Sequence, residues 1–194
     1  MAGVAAEPAA KRGRRLDEDR SELILSTVLD LVHEGGYDQL RMQDVADRAG
    51  VGLSTIYRRW PTKQDCVRAS LECERAREKF VNTGNPRADA HAFFKKMADD
   101  LSGDGAQTFL GFLTSMRSDP EIADVFRDTV IANIHNHLRS LLVAELGEDV
   151  PDLDLRAAAG PALLVYQGAV CGKPMDADAM ADRLTELLFA PPPT

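Results

Sequence analysis

Residues 41–63, RMQDVADRAGVGLSTIYRRWPTK, bring together side chains suited to one chemistry, the recognition of nucleic acid. The hydroxyls of Ser54 and Thr55, the Tyr57 phenol and the cations Arg41, Arg58 and Lys63 all match phosphate oxygens. Gln43 joins them as a DNA-binding candidate, the short second helix exposes Leu53, and an α-helix fits the major groove, where base edges are distinguishable. The stretch 39–63 is locally basic, with a net charge of +3.

Such side chains act only if a scaffold presents them, and the same stretch encodes one. A helix-turn-helix crosses two short helices steeply. The crossing needs a small residue, and Ala46 supplies it. The turn needs a residue tolerant of positive φ four positions on, and Gly50 supplies it. The second helix must bury an apolar side chain against the first, and Ile56 does so, with Val45, Ala49 and Val51 completing a small core.

Other chemistries find little footing. The chain has no glycine loop that cradles phosphate, no HExxH and no obvious nucleophile–base pairing, so an enzyme is not expected. Cys66, Cys73 and Cys171 are an odd number with no CxxC, which argues against a disulfide framework or a zinc site. Cys66 and Cys73 share a helix face and read as packed small residues or as a redox pair. His135 and His137 lie two apart and face different ways, a poor metal pair. No cofactor or metal is expected.

Apolar periodicity places helices near 17–34, 42–49, 53–59, 62–81, 87–101, 105–117, 120–146, 153–171 and 176–189. Gly35-Gly36, Pro61, the NTGNP stretch at 82–86, Gly147 and Lys173-Pro174 punctuate them. No segment alternates convincingly enough for a strand, so the fold class is all-α. Three units are expected: a disordered basic arm over 1–16, a three-helix helix-turn-helix domain over 17–65, and a helical body over 66–194. Pro161 should kink the penultimate helix.

The net charge of −8 is unevenly spread: residues 1–80 are balanced and residues 81–194 carry the whole excess. A nucleic-acid binder needs a basic face, not a basic whole. No stretch is long and apolar enough for a membrane helix, and the start lacks the apolar middle of a signal peptide, so a cytoplasmic protein with no membrane partner is expected.

Asp44-Val45-Ala46, Ala49-Gly50-Val51, Thr55-Ile56-Tyr57, Trp60 and Lys63 resemble, in order and spacing, the DNA-binding domain of TetR (tetracycline-repressor) family regulators. Gly36-Tyr37 and the helix around Ile24-Leu25 match as well. The resemblance is strong over residues 17–65 and extends more weakly to 160–189. Two positions depart from the family pattern: Arg41 stands where a threonine is common, and Gly52 where a serine is common.

The resemblance implies a ligand-released repressor that binds double-stranded DNA as a homodimer on a palindromic operator. Arg41, Gln43, Leu53, Ser54, Thr55, Tyr57, Arg58 and Lys63 would face DNA. The basic KRGRR arm (11–15) would either touch DNA beside them or remain a solvated tail. A cavity for a small-molecule effector is expected among Phe93, Phe94, Met97, Phe112, Met116, Phe126, His135 and Tyr166. Leu163, Leu164, Leu184, Leu187 and Leu188 are expected at the dimer interface. The alternative is a DNA-binding regulator controlled by a protein partner or by cysteine oxidation.

Overall fold

Helix-forming stretches separated by glycine, proline and capping residues dictate an all-helical chain, and a computed structural model shows ten α-helices among the residues it describes, 9–77, 80 and 82–191. They are α1 (Ala9–Gly35), α2 (Met42–Ala49), α3 (Leu53–Arg59), α4 (Lys63–Arg77), α5 (Pro86–Asp100), α6 (Asp104–Ser118), α7 (Pro120–Phe126), α8 (Ala132–Leu146), α9 (Leu153–Val165) and α10 (Ala177–Leu188). No strand occurs among the described residues.

α1 begins at Ala9, ahead of the expected start at Asp17. The added turns run through Ala, Lys, Arg and Leu, which favour helix, and Gly13 alone opposes it. The basic run at 11–15 therefore belongs to a helix, while residues 1–8 of the expected arm lie outside the described residues. Ile24, Leu25, Val28 and Val32 form the buried stripe of α1.

The long helix expected over 120–146 is interrupted. Asp119 caps α7, its carboxylate accepting from the backbone N–H groups of Glu121 (3.1 Å) and Ile122 (3.2 Å). Between α7 and α8 lies a π-helical turn, Arg127–Ile131. The wider turn resets the helix face. Before it, Ile122, Val125 and Phe126 enter one core; after it, Leu138, Leu141 and Leu142 enter another. A second π-helical turn, Tyr166–Val170, ends α9.

The first core joins α1–α4 to α6 and α7, with Ile24, Val28, Val45, Ile56 and Val67 meeting Phe112, Ile122 and Phe126. It runs across the boundary expected at residue 65. The second core joins α5, α8, α9 and α10 through Phe94, Leu138, Leu142, Leu164, Leu184 and Leu188. Gly160, inside α9, lets α5 approach closely: a Cβ there would lie 2.5 Å from Phe94 Cε1. Pro161 lies inside α9 as well.

Candidate DNA-binding surface and ligand cavity

The helix-turn-helix is assembled by local backbone rules. α2 ends at Gly50, whose φ of 66° is the left-handed conformation that glycine accepts without strain. The Val51 N–H then returns to the Ala46 carbonyl at 3.0 Å, closing the helix end. Val45, Ala46, Ala49 and Ile56 are buried, which fixes how α3 crosses α2. α4 opens on Thr62, whose hydroxyl accepts from the Asp65 N–H at 3.0 Å while the Thr62 N–H donates to the Asp65 carboxylate at 3.1 Å.

With the core satisfied, the other faces of α2 and α3 point outward. Arg41, Gln43, Ser54, Tyr57 and Arg58 are exposed, while Leu53, Thr55 and Lys63 are half-buried. Arg41 and Arg58 have no carboxylate partner among the described residues. Gln43 donates to the Asp47 carboxylate at 2.8 Å. Two further arginines of this segment are committed elsewhere. Arg48 makes a bidentate pair with Glu34 at 2.6 and 2.8 Å. Arg59 reaches the Asp17 carboxylate and the Ser21 hydroxyl. Both pairs brace the helix-turn-helix against α1 and leave Arg41, Arg58 and Lys63 as the charges available to a ligand.

Lys63 opens α4 with its Nζ 4.0 Å above the centre of the Tyr37 ring. Burial pulls its pKa below the ordinary lysine value, with Asp38 and Asp119 acting against that fall. The Tyr37 hydroxyl donates to Asp119 Oδ2 at 2.9 Å, and Gln64 Nε2 donates to the same oxygen at 3.0 Å. Burial, reinforced by this carboxylate, drives the Tyr37 pKa upward. Desolvation raises the Asp119 carboxyl, but hydrogen bonds from the Ile122 N–H, Tyr37, Gln64 and the Glu121 N–H outweigh it and hold the group below its ordinary value. One carboxylate thus caps α7 and grips the loop and helix that carry the helix-turn-helix.

A cavity of about 400 Å³ lies behind this region. α4 contributes Leu71 and Glu74, and Phe80 follows that helix. α5 contributes Asp89, Ala92, Phe93, Lys96, Met97 and Asp100, the first π-helical turn Thr129 and Val130, and α8 Asn133, Ile134 and His137. Phe80 stacks on His137, centroids 4.0 Å apart and planes 13° apart, and Phe93 meets Phe80 edge-on at 5.5 Å. The Nε2 atom of His137 is buried without a hydrogen-bond partner. Burial lowers the His137 pKa, with Asp89 opposing.

Of the residues expected to line a cavity, Phe93 and Met97 lie on this one. Phe94 is wholly buried and packs over Gly160. Phe112, Phe126 and Met116 belong to the core beneath the helix-turn-helix, where Phe112 and Phe126 stack at 5.3 Å. His135 faces α9, with Nε2 3.2 Å from Asp154, and Tyr166 is exposed on another face. Among the lining residues missed in the sequence are Glu74, Phe80, Asp89 and His137. Phe80 lies beyond the end of α4, so no helical periodicity marks it as a neighbour of α8. His137 is distinguishable from His135 only once the helix face is known.

The five leucines expected at an interface divide. Leu164, Leu184 and Leu188 are buried within the chain, since α9 and α10 pack on α5 and α8. Leu163 and Leu187 are exposed. With Leu163, the exposed Leu155, Tyr166 and Val170 fall on one stripe along α9 and its π-helical turn. Among the cysteines, Cys66 is fully buried, and burial pushes its thiol up to about 12. That environment disfavours the reactive thiolate.

Comparison with known proteins agrees with this geometry. Residues 24–70 match the family model of bacterial regulatory proteins of the tetR family, and residues 80–188 match the tetracyclin repressor-like C-terminal domain. A DNA-binding transcriptional repressor TetR of Mycobacteroides abscessus is 28% identical over 176 residues, covering 87% of this chain and 91% of that protein. The transcriptional regulator FadR from Bacillus subtilis, solved in complex with stearoyl-CoA, superposes with a TM-score of 0.64 at 18% identity, covering 87% of this chain and 97% of its own. The multidrug binding protein EbrR, complexed with proflavin, superposes with a TM-score of 0.56 at 21% identity, covering 87% and 99%. At those identities the two structures attest the fold alone. Family models match both the helix-turn-helix and the helical body behind it, so the chain belongs to the tetR family of bacterial regulatory proteins and is a DNA-binding transcriptional regulator.

Proposed function

We propose that the protein is a repressor that grips a palindromic operator as a homodimer and releases it when a small molecule enters the cavity. One observation carries this reading: α4 begins at Lys63, the proposed phosphate contact, and supplies Leu71 and Glu74 to the cavity wall. Lys63 and Glu74 lie about 16 Å apart along a single rigid helix at 1.5 Å per residue. A ligand that displaces the wall displaces the start of the helix.

A second route runs through α7. Thr129 and Val130 line the cavity, and the helix leading into them is capped by Asp119, which holds Tyr37 and Gln64. Ligand pressure on the π-helical turn would reach the loop before α2. For either route to act, the ligand must bind the DNA-released state more tightly than the DNA-bound one.

In the dimer, the α9 stripe of Leu155, Leu163, Tyr166 and Val170, with Leu187 from α10, would cover its counterpart across a two-fold axis. The two α3 helices would then read major grooves about 34–36 Å apart or a multiple of that. Arg41, Arg58, Tyr57 and Lys63 would hold phosphates, and Leu53 and Ser54 would approach base edges.

Selection from a random DNA pool with purified protein at controlled salt tests this. Recovery of an inverted repeat is expected. Recovery of no preferred sequence, with only weak salt-sensitive binding, overturns the operator reading.

A further inference from the structure

The two ligand-bound fold neighbours hold an acyl thioester in one case and an aromatic dye in the other, so the fold leaves the ligand class open. The lining of this cavity narrows it. Glu74 and Asp89 both line the space; Arg77 lies within electrostatic reach of Glu74 and His137 of Asp89, but neither carboxylate forms an ion pair within 4 Å among the described residues. Asp89 is only 2% exposed, and both its oxygens accept from Thr83, from the backbone N–H at 3.1 and 3.0 Å and from the hydroxyl at 2.7 Å. Those donors are neutral, so they orient the carboxylate without cancelling its charge. The ammonium of Lys96 is already engaged by Asp100 at 2.7 Å. An anionic headgroup would meet the carboxylates of Glu74, Asp89 and Asp100 against the ammonium of Lys96, and a buried like-charge contact is strongly unfavourable.

Aromatic rings line the same space. Phe80, Phe93 and His137 form a continuous ring cluster with centroids 4.0–5.6 Å apart. Ring faces attract a cation, most of all one stripped of water. His137 adds a buried Nε2 with no partner, open to a ligand hydrogen bond. The volume of about 400 Å³ suits a body of a few rings.

We infer that the cavity takes an aromatic organic cation, its positive charge set between Glu74 and Asp89 and its rings against Phe80, Phe93 and His137. This inference rests on the ligand-released reading above and specifies its effector.

The test is fluorescence titration of DNA-free protein with ethidium and with its uncharged ring system, 6-phenylphenanthridine. Ethidium is expected to bind about tenfold or more tightly. Glu74→Gln and Asp89→Asn should each weaken ethidium several-fold and leave 6-phenylphenanthridine unchanged. Glu74 has no hydrogen bond to lose, so its variant keeps the test sound if the Asp89 variant unfolds. Equal affinity for the two probes, an unchanged Glu74→Gln variant, or no binding of either overturns the inference. Tighter binding of anilinonaphthalene sulfonate than of ethidium also overturns it while leaving a ligand-released repressor intact. The parent reading has its own readout, release of labelled operator by tetraphenylphosphonium, which does not intercalate. A cation that binds but leaves the operator bound sinks the release reading and spares the site.

Discussion

Lys63 is held half out of water by the ring beneath it, so its ammonium is positioned before DNA arrives. A pre-placed charge loses little entropy on meeting a phosphate. Lys63→Ala should weaken binding to all sequences alike and reduce the slope of log affinity against log salt by about 1. Ser54→Ala should instead change which bases are preferred. Quantitative titration over a salt series checks both; an unchanged slope for the lysine variant would sink its phosphate role. The scaffold that presents them was readable in the sequence because it depends on near neighbours: Ala46, Gly50 and Ile56 act within one turn and two short helices. Tyr37 and Asp119 were not, since their hydrogen bond spans 82 positions and neither residue type marks the other.

At the scale of elements, periodicity located the helices of the described residues, save the early start of α1 and the break between α7 and α8, but not which face of each would be covered. Leu163 and Leu164 are neighbours in sequence; one is 41% exposed and the other fully buried. The packing of α9 on α5, permitted by Gly160, makes that distinction, and it is tertiary. The two leucines should therefore fail differently. Leu163→Arg is expected to give a folded monomer with poor operator binding, seen by light scattering and thermal denaturation. Leu164→Ala should cost about 2–5 kcal/mol of stability. A dimeric Leu163→Arg protein would remove the α9 stripe from the proposed interface. The π-helical turns were also hidden in the sequence, because Arg127–Ile131 continues an unbroken apolar ridge and only the geometry shows the inserted turn.

Across the whole molecule, Phe109 of α6 packs against both cores, and Asp119 is a polar tie within the first, holding α7 to Tyr37 and Gln64. Its carboxyl is held below the ordinary value, so its stabilising contribution is complete above about pH 4, the unfolded value, and disappears as pH falls through the folded one. Asp119→Asn keeps an N-cap for α7, since asparagine caps well. The variant should be less stable near neutrality and should lose less further stability than the parent on acidification below about pH 4. Thermal melts over a pH series read this directly; parallel curves would mean that Asp119 has no such tie.

The uneven charge shapes how the molecule finds its target. The negative excess of the chain lies wholly in residues 81–194, behind a locally basic face at 39–63. Near a duplex the body would be repelled and the proposed reading face drawn in, so the molecule should turn in the field before contact. Random collisions become biased toward productive ones. Wrongly oriented encounters are shed quickly because few phosphates are neutralised in them. If that face reads DNA as proposed, the acidic body should serve as a rudder during the search, shortening each visit in a wrong orientation.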